Sequence, residues 1–98
     1  MSSGIFPGLI LVATPIGNAA DITLRALDAL RQADAIACED TRVTRKLLTI
    51  HRIATPTLAY HEHNATRVRP RILKRLRQGE IIALVTDAGM PLISDPGF

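Results

Sequence analysis

The sequence predicts an α/β domain, a mainly parallel sheet with helices on both faces, and three observations predict it. Four short apolar runs are nearly continuous rather than alternating, which suits strands covered on both sides. Segments with leucine and isoleucine at helical spacing separate them. Proline, glycine and polar residues collect where the apolar runs stop. The resulting order is βαβαβαβ, and parallel strands joined by helices call for right-handed crossovers.

The first run is Leu9 to Ala13. A helix is predicted from about Thr23 to Gln32, with Leu24, Leu27 and Leu30 on one face and Asp21 or Thr23 as N-cap. The second run is Ala35 to Cys38, and a helix starts after it near Asp40 or Thr41, with Val43, Leu47 and Ile50 at helical spacing. Thr57 to Tyr60 is the third run. The third helix is predicted from about Arg69 to Gln78, with Ile72, Leu73 and Leu76 facing inward. Pro70 suits its first turn, where no donor is needed, and Gly79 suits the position just past its end. Ile81 to Val85 is the fourth run.

Composition bounds the rest. With 98 residues, 47% of them hydrophobic and 21% charged, the chain is one small globular domain rather than a disordered segment. No stretch approaches the ~20 apolar residues of a membrane span. Met1-Ser2-Ser3-Gly4 lacks the basic and apolar regions of a secretory signal. A single cysteine, Cys38, makes neither a disulfide framework nor a cysteine-rich zinc site. A soluble, cytoplasmic protein is expected. The Pro- and Gly-rich run after Asp87 normally leads into another element, so residues 1–98 are expected to be the N-terminal α/β domain of something longer.

Charge is unevenly placed. Arg42 to Arg77 holds ten basic residues and one acid, Glu62, while the remainder carries −6. A basic face of this kind tracks phosphates, although solvated helix faces would give the same count. The three aromatics, Phe6, Tyr60 and Phe98, make no base-stacking platform.

Ligands of parallel sheets sit beyond the carboxyl ends of the strands. Four loops are predicted there: Thr14 to Ala20, Glu39 to Arg42, His61 to Asn64 and Asp87 to Gly97. The first has neither a G-x-G-x-x-G fingerprint nor a Walker A lysine, which removes the main signal for dinucleotide binding or nucleotide hydrolysis. Pro15 and Gly17 let its backbone turn sharply, towards a ligand or simply into the next helix. Glu39 and Asp40 are paired acids that could bind a metal, act as a base or cap a helix. His61 and His63 are two apart, unlike the H-E-x-x-H of a helical zinc site, and on an extended strand end they would point the same way. No metal is expected. The last loop has small residues that open backbone groups to a pocket, and Met90 and Ile93 could wall an adenine or thioether.

Leu11-Val12-Ala13-Thr14-Pro15-Ile16-Gly17-Asn18 followed by Asp21-Ile22-Thr23-Leu24-Arg25-Ala26-Leu27 resembles the opening of the tetrapyrrole methylase superfamily. Ala37-Cys38-Glu39-Asp40-Thr41-Arg42, Tyr60-His61-Glu62-His63-Asn64 and Asp87 to Gly97 resemble the branch that methylates the ribose 2′-oxygen of a cytidine in small-subunit ribosomal RNA. The resemblance runs through nearly the whole chain after Phe6. It implies an S-adenosylmethionine-dependent methyltransferase of two α/β domains, acting as a homodimer, with its cofactor in the cleft between domains. It implies cofactor contacts at Pro15, Ala88, Gly89, Met90 and Ile93; the branch usually has Thr where Met90 stands. Candidates for the base that takes the ribose proton are Glu39, Asp40, His61, Glu62 and His63. Arg42, Arg69, Arg71 and Arg75 of the basic segment are expected to hold RNA backbone. The alternatives are another enzyme of the superfamily, acting on a small molecule or a protein, and a non-catalytic RNA-binding module.

Overall fold

The computed structural model describes residues 8–15 and 19–87. Its elements alternate as predicted: β1 (Leu9–Thr14), a 3-10 turn (Ala19–Asp21), α1 (Leu24–Gln32), β2 (Ala35–Cys38), α2 (Thr41–Ile50), β3 (Thr57–Ala59), α3 (Ala65–Arg77) and β4 (Ile82–Asp87). The strands form one sheet in the order β1-β4-β2-β3, and every pairing is parallel.

The topology explains which helix covers which face. The chain crosses the sheet in one direction from β1 through β2 to β3, then returns from β3 to β4. Crossovers of a single hand therefore put the first two helices on one face and the third on the other. Residues of α1 and α2, among them Leu27, Leu30, Leu47 and Leu48, pack on Val12, Ile36 and Ala83. Val68, Ile72 and Leu76 of α3 pack on Ala35, Ala37 and Ile82. The inner strand β2 is buried on both faces, with all four residues at most 2% exposed. That is why its sequence is continuously apolar. Small residues also bring the first and last strands together: a Cβ on Gly8 would collide with the Glu80 carbonyl.

Three sequence expectations need correction. First, α3 begins at Ala65, so Pro70 lies inside the helix rather than in its first turn. Its missing donor is tolerated on an exposed face, and the earlier start lets Val68 join Ile72 and Leu76 at i, i+4, i+8 spacing in the core. Second, α2 buries Thr44, Leu47 and Leu48, while Val43 and Ile50 are each 63% exposed. The adjacent leucines set the buried face and rotate the other two positions out of it. Third, Leu24 is 80% exposed at the start of α1, where the buried stripe is Ala26, Leu27 and Leu30. Thr23 is the α1 cap, its side chain accepting the Ala26 N–H at 3.1 Å.

Candidate active site

A crevice forms at the carboxyl ends of adjacent parallel strands whose onward connections leave to opposite faces. Strands β2 and β3 meet that condition, because α2 covers one face and α3 the other. The crevice brings together the loop beginning Glu39-Asp40 and the turn His61-Glu62-His63-Asn64, which are more than 20 residues apart in sequence. All five candidate bases thus lie at one edge of the sheet.

They are not equivalent there. Asp40 is the N-cap of α2, and its Oδ1 accepts the Arg42 N–H at 3.0 Å. The Arg42 side chain stands 3.9 Å from the same oxygen and is 90% exposed, so the ion pair adds little. Glu39 is exposed and has no hydrogen bond or ion pair among the described residues. Glu62 and His63 approach each other at 4.0 Å with both side chains more than 80% exposed, again a weak pair.

The histidine turn is held from within. Asn64, only 9% exposed, accepts the His61 N–H on Oδ1 at 2.8 Å and donates from Nδ2 to the Ala59 carbonyl at 3.1 Å. The His63 N–H donates to His61 Nδ1 at 3.2 Å. The two rings stand edge to face, with centroids 5.9 Å apart. The strand alternation anticipated for His61 and His63 does not apply, since β3 ends at Ala59 and a turn brings the rings together. Among the described residues no group of three or more His, Cys, Asp or Glu could hold a metal ion.

At the other side of the sheet, β1 and β4 end level, with Thr14 opposite Asp87. The Thr14 hydroxyl donates to the Thr86 carbonyl at 3.3 Å, pinning the two strand ends together. Pro15 follows and is half-buried. The remaining residues expected to contact the cofactor, Ala88, Gly89, Met90 and Ile93, lie outside the described residues.

The basic residues divide into engaged and free. Arg75 meets Glu80 through both Nε and Nη2, each 2.8 Å from Oε1, with both side chains about one-third exposed. Arg69 donates from Nε to the Tyr60 hydroxyl at 2.9 Å. Arg71 is exposed, as are Arg45, Lys46, Arg67, Lys74 and Arg77, and none has an ion pair among the described residues. Neither α2 nor α3 contains a carboxylate. Cys38 is buried, and burial pushes its thiol above the ordinary value of 9.0, partly offset by a hydrogen bond from the Thr44 side chain.

Sequence reading missed three contributors. Asn64 carried no signal beyond its motif. His51 shares a hydrogen bond of 2.9 Å between Nε2 and the Ala19 carbonyl, tying the end of α2 to the turn after the first loop. Tyr60 anchors Arg69. All three act through contacts between segments distant in sequence or through a turn, which periodicity does not register.

Comparison with known proteins now decides the family. Residues 8–98 match the family model of the tetrapyrrole (corrin/porphyrin) methylases. The chain belongs to that family. A "Ribosomal RNA small subunit methyltransferase I" from Mesorhizobium japonicum is 59% identical over 92 residues, which cover 94% of this chain and 31% of the relative. Its namesake from Bacillus subtilis is 55% identical, covering 91% and 30%. The one from Thermotoga maritima is 52% identical, covering 92% and 40%. This methylase chain therefore spans about a third of the length of the curated relatives it matches. Among solved structures, a cobalt precorrin-4 methyltransferase of cobalamin biosynthesis superposes with a TM-score of 0.66 at 23% identity, covering 81% of this chain and 33% of that one. That likeness concerns the fold.

Proposed function

We propose that residues 1–98 are the N-terminal α/β domain of an S-adenosylmethionine-dependent methyltransferase that modifies the ribose 2′-oxygen of a cytidine in small-subunit ribosomal RNA. The observation that carries this reading is the 52–59% identity, over nearly all of this chain, to relatives named as small-subunit ribosomal RNA methyltransferases. The basic, carboxylate-free helices α2 and α3 support an RNA substrate over a small one. A second α/β domain, a homodimer and a cytoplasmic location belong to the same reading.

When bound, S-adenosylmethionine supplies a methyl group on a sulfonium sulfur, open to in-line attack by a ribose oxygen. The fit of this chain to that cofactor rests on the level ends of β1 and β4, whose Thr14 side chain is turned back onto the sheet. That leaves backbone and the half-buried Pro15 to face a ligand, as a bulky, mostly neutral cofactor needs. Pro15, Ala88, Gly89, Met90 and Ile93 would hold it. The rest of the chain's work is positioning: the crevice between Glu39 and His61 receives the ribose, and the basic helices hold backbone phosphates. The ribose proton must pass to a base as the oxygen attacks. Glu39, exposed and without a partner among the described residues, suits that task better than Asp40, which is committed to its cap.

The test is methyl transfer from radiolabelled S-adenosylmethionine to small-subunit ribosomal RNA by the whole protein, with nuclease mapping of the labelled sugar. Label at a cytidine 2′-oxygen is expected. Label on a protein or tetrapyrrole, with none on RNA, would overturn the reading. Residues 1–98 alone are expected to transfer nothing, because their cleft lacks its second wall.

A further inference from the structure

Asn64 occupies the N-cap position of α3, and asparagine is among the best residues for that position. Yet its side chain makes no cap hydrogen bond. Both ends of the amide are spent on the preceding turn, one on the His61 N–H and one on the Ala59 carbonyl. The side chain is nearly buried, so this is not a wandering surface amide. A residue that gives up a local stabilising role to fix a loop marks a place where geometry matters more than helix stability.

What the clamp fixes is His61. The His63 backbone N–H can only donate, so His61 Nδ1, 3.2 Å away, is the acceptor. The neutral ring must then carry its proton on Nε2. Held this way, His61 offers a hydrogen-bond donor and has no free lone pair with which to take a proton. Arg67 stands in the first turn of α3, where the helix dipole disfavours positive charge and no acid shares the turn, whereas Arg42 in the first turn of α2 lies 3.9 Å from the Asp40 cap. A fixed N–H donor in the turn that leads into a helix whose charged residues are all basic suits an anionic oxygen.

We propose that His61 Nε2–H donates to a phosphate oxygen of the RNA backbone in the β2/β3 crevice, and that Asn64 is the positioning residue that holds it there. The inference rests on the RNA methyltransferase reading above. It removes His61 from the candidate bases and makes it a binding residue.

The experiment uses the whole protein, purified small-subunit ribosomal RNA as probe, and three variants. His61→Gln keeps an N–H donor near the Nε2 position; His61→Phe keeps a ring without one. Asn64→Ser keeps a capping side chain but releases the turn. His61→Phe is expected to raise KM for RNA about tenfold with little change in kcat, as loss of one charge-assisted contact does. His61→Gln is expected to restore KM to within about twofold of the parent. Asn64→Ser is expected to raise KM severalfold and to lower the melting temperature through its two lost amide hydrogen bonds, while its calorimetric affinity for S-adenosylhomocysteine matches the parent. A fall in kcat of about a hundredfold or more in His61→Gln would make His61 the base and overturn the proposal. So would an unchanged KM in His61→Phe. A parent enzyme that methylates no RNA would remove the underlying reading, and the proposal with it, a result distinct from either variant outcome.

Discussion

The two edges of the sheet are built differently. The β3 edge is three residues long, follows Pro56, and has its last carbonyl taken by Asn64. Helices α2 and α3 flank it on opposite faces with nothing but cations among their charged residues. The β1 edge is six residues, Leu-Ile-Leu-Val-Ala-Thr, with Leu11 63% exposed. Under α3 an apolar groove runs from Leu9 and Leu84 past Leu73 and Leu76 to Ala37 and Tyr60. Short, charged and capped edges resist further pairing, whereas long apolar ones invite it. Among the described residues, the β3 edge resists further pairing and the β1 edge leaves room for it.

The relatives' length suggests what that protein is. A right-handed crossover from β4 to a strand beside β1 would run over the face that α3 already occupies, the face on which the groove opens. The continuation of the chain in the whole protein is therefore the expected cover.

The largest expected effect separates buried from waiting positions. Ile36→Ala, at a fully buried site on β2, should cost about 2–4 kcal/mol in residues 1–98 and in the whole protein alike. Leu11→Ala should cost less than about 0.5 kcal/mol in residues 1–98 but about 2 kcal/mol or more in the whole protein. Urea unfolding of the four proteins measures both. Equal Leu11 costs in the two contexts would mean that the β1 edge stays open. In residues 1–98, Leu11→Lys should also shift sedimentation towards monomer, since it places a charge on the exposed strand.

A smaller effect tests the other edge. Arg71→Ala in the whole protein should weaken RNA binding and lower the slope of log K against log salt by about 0.7–0.9, the loss of one phosphate contact. Arg75→Ala should change the slope less, because Glu80 already engages that guanidinium. It should instead cost stability, through the carboxylate left without its partner. Identical slopes for the two variants would show that the engaged and free arginines do not differ towards RNA.

Much of this contrast was legible in the sequence. Continuous apolar runs disclosed Ala35–Cys38 and its neighbours as strands, because burial on both faces removes alternation. The loops Glu39 to Arg42 and His61 to Asn64 at the carboxyl edge were legible because few residue types suit sharp turns. What escaped was set by tertiary packing. Pro70 reads as a first-turn residue, yet burying Val68 outweighed the bond it deletes. Val43 and Ile50 share helical spacing with Leu47, yet Thr44 and Leu48 complete the buried face. Asn64 reads as a cap, and only the folded structure places its amide on the turn. Nor does sequence order reveal that β4 inserts between β1 and β2, which decides which edges remain open.

The smallest effect concerns how the helices beside the β3 edge end. Both stop in the same motif. In α2, the Arg52 N–H bonds the Thr49 carbonyl and the Ile53 N–H bonds Leu48; in α3, Gly79 bonds Leu76 and Glu80 bonds Arg75. The residue just past each C-cap must turn left-handed, at φ 57° for Arg52 and 90° for Gly79. Glycine does this freely and arginine does not. A cation near a helix C-terminus recovers about 0.3–1 kcal/mol from the dipole, so it offsets part of the strain. Arg52→Gly should therefore stabilise the fold by only about 0.5 kcal/mol, near the limit of what chemical denaturation resolves. The reciprocal change is larger: Gly79→Ala should cost about 1–2 kcal/mol. A Cβ there meets nothing within 4 Å, so the cost is purely that of the backbone angle. If Arg52→Gly destabilised the fold instead, the arginine would be holding the end of α2 through contacts stronger than the dipole. The β3 edge would then owe its finish to that side chain as well as to Asn64.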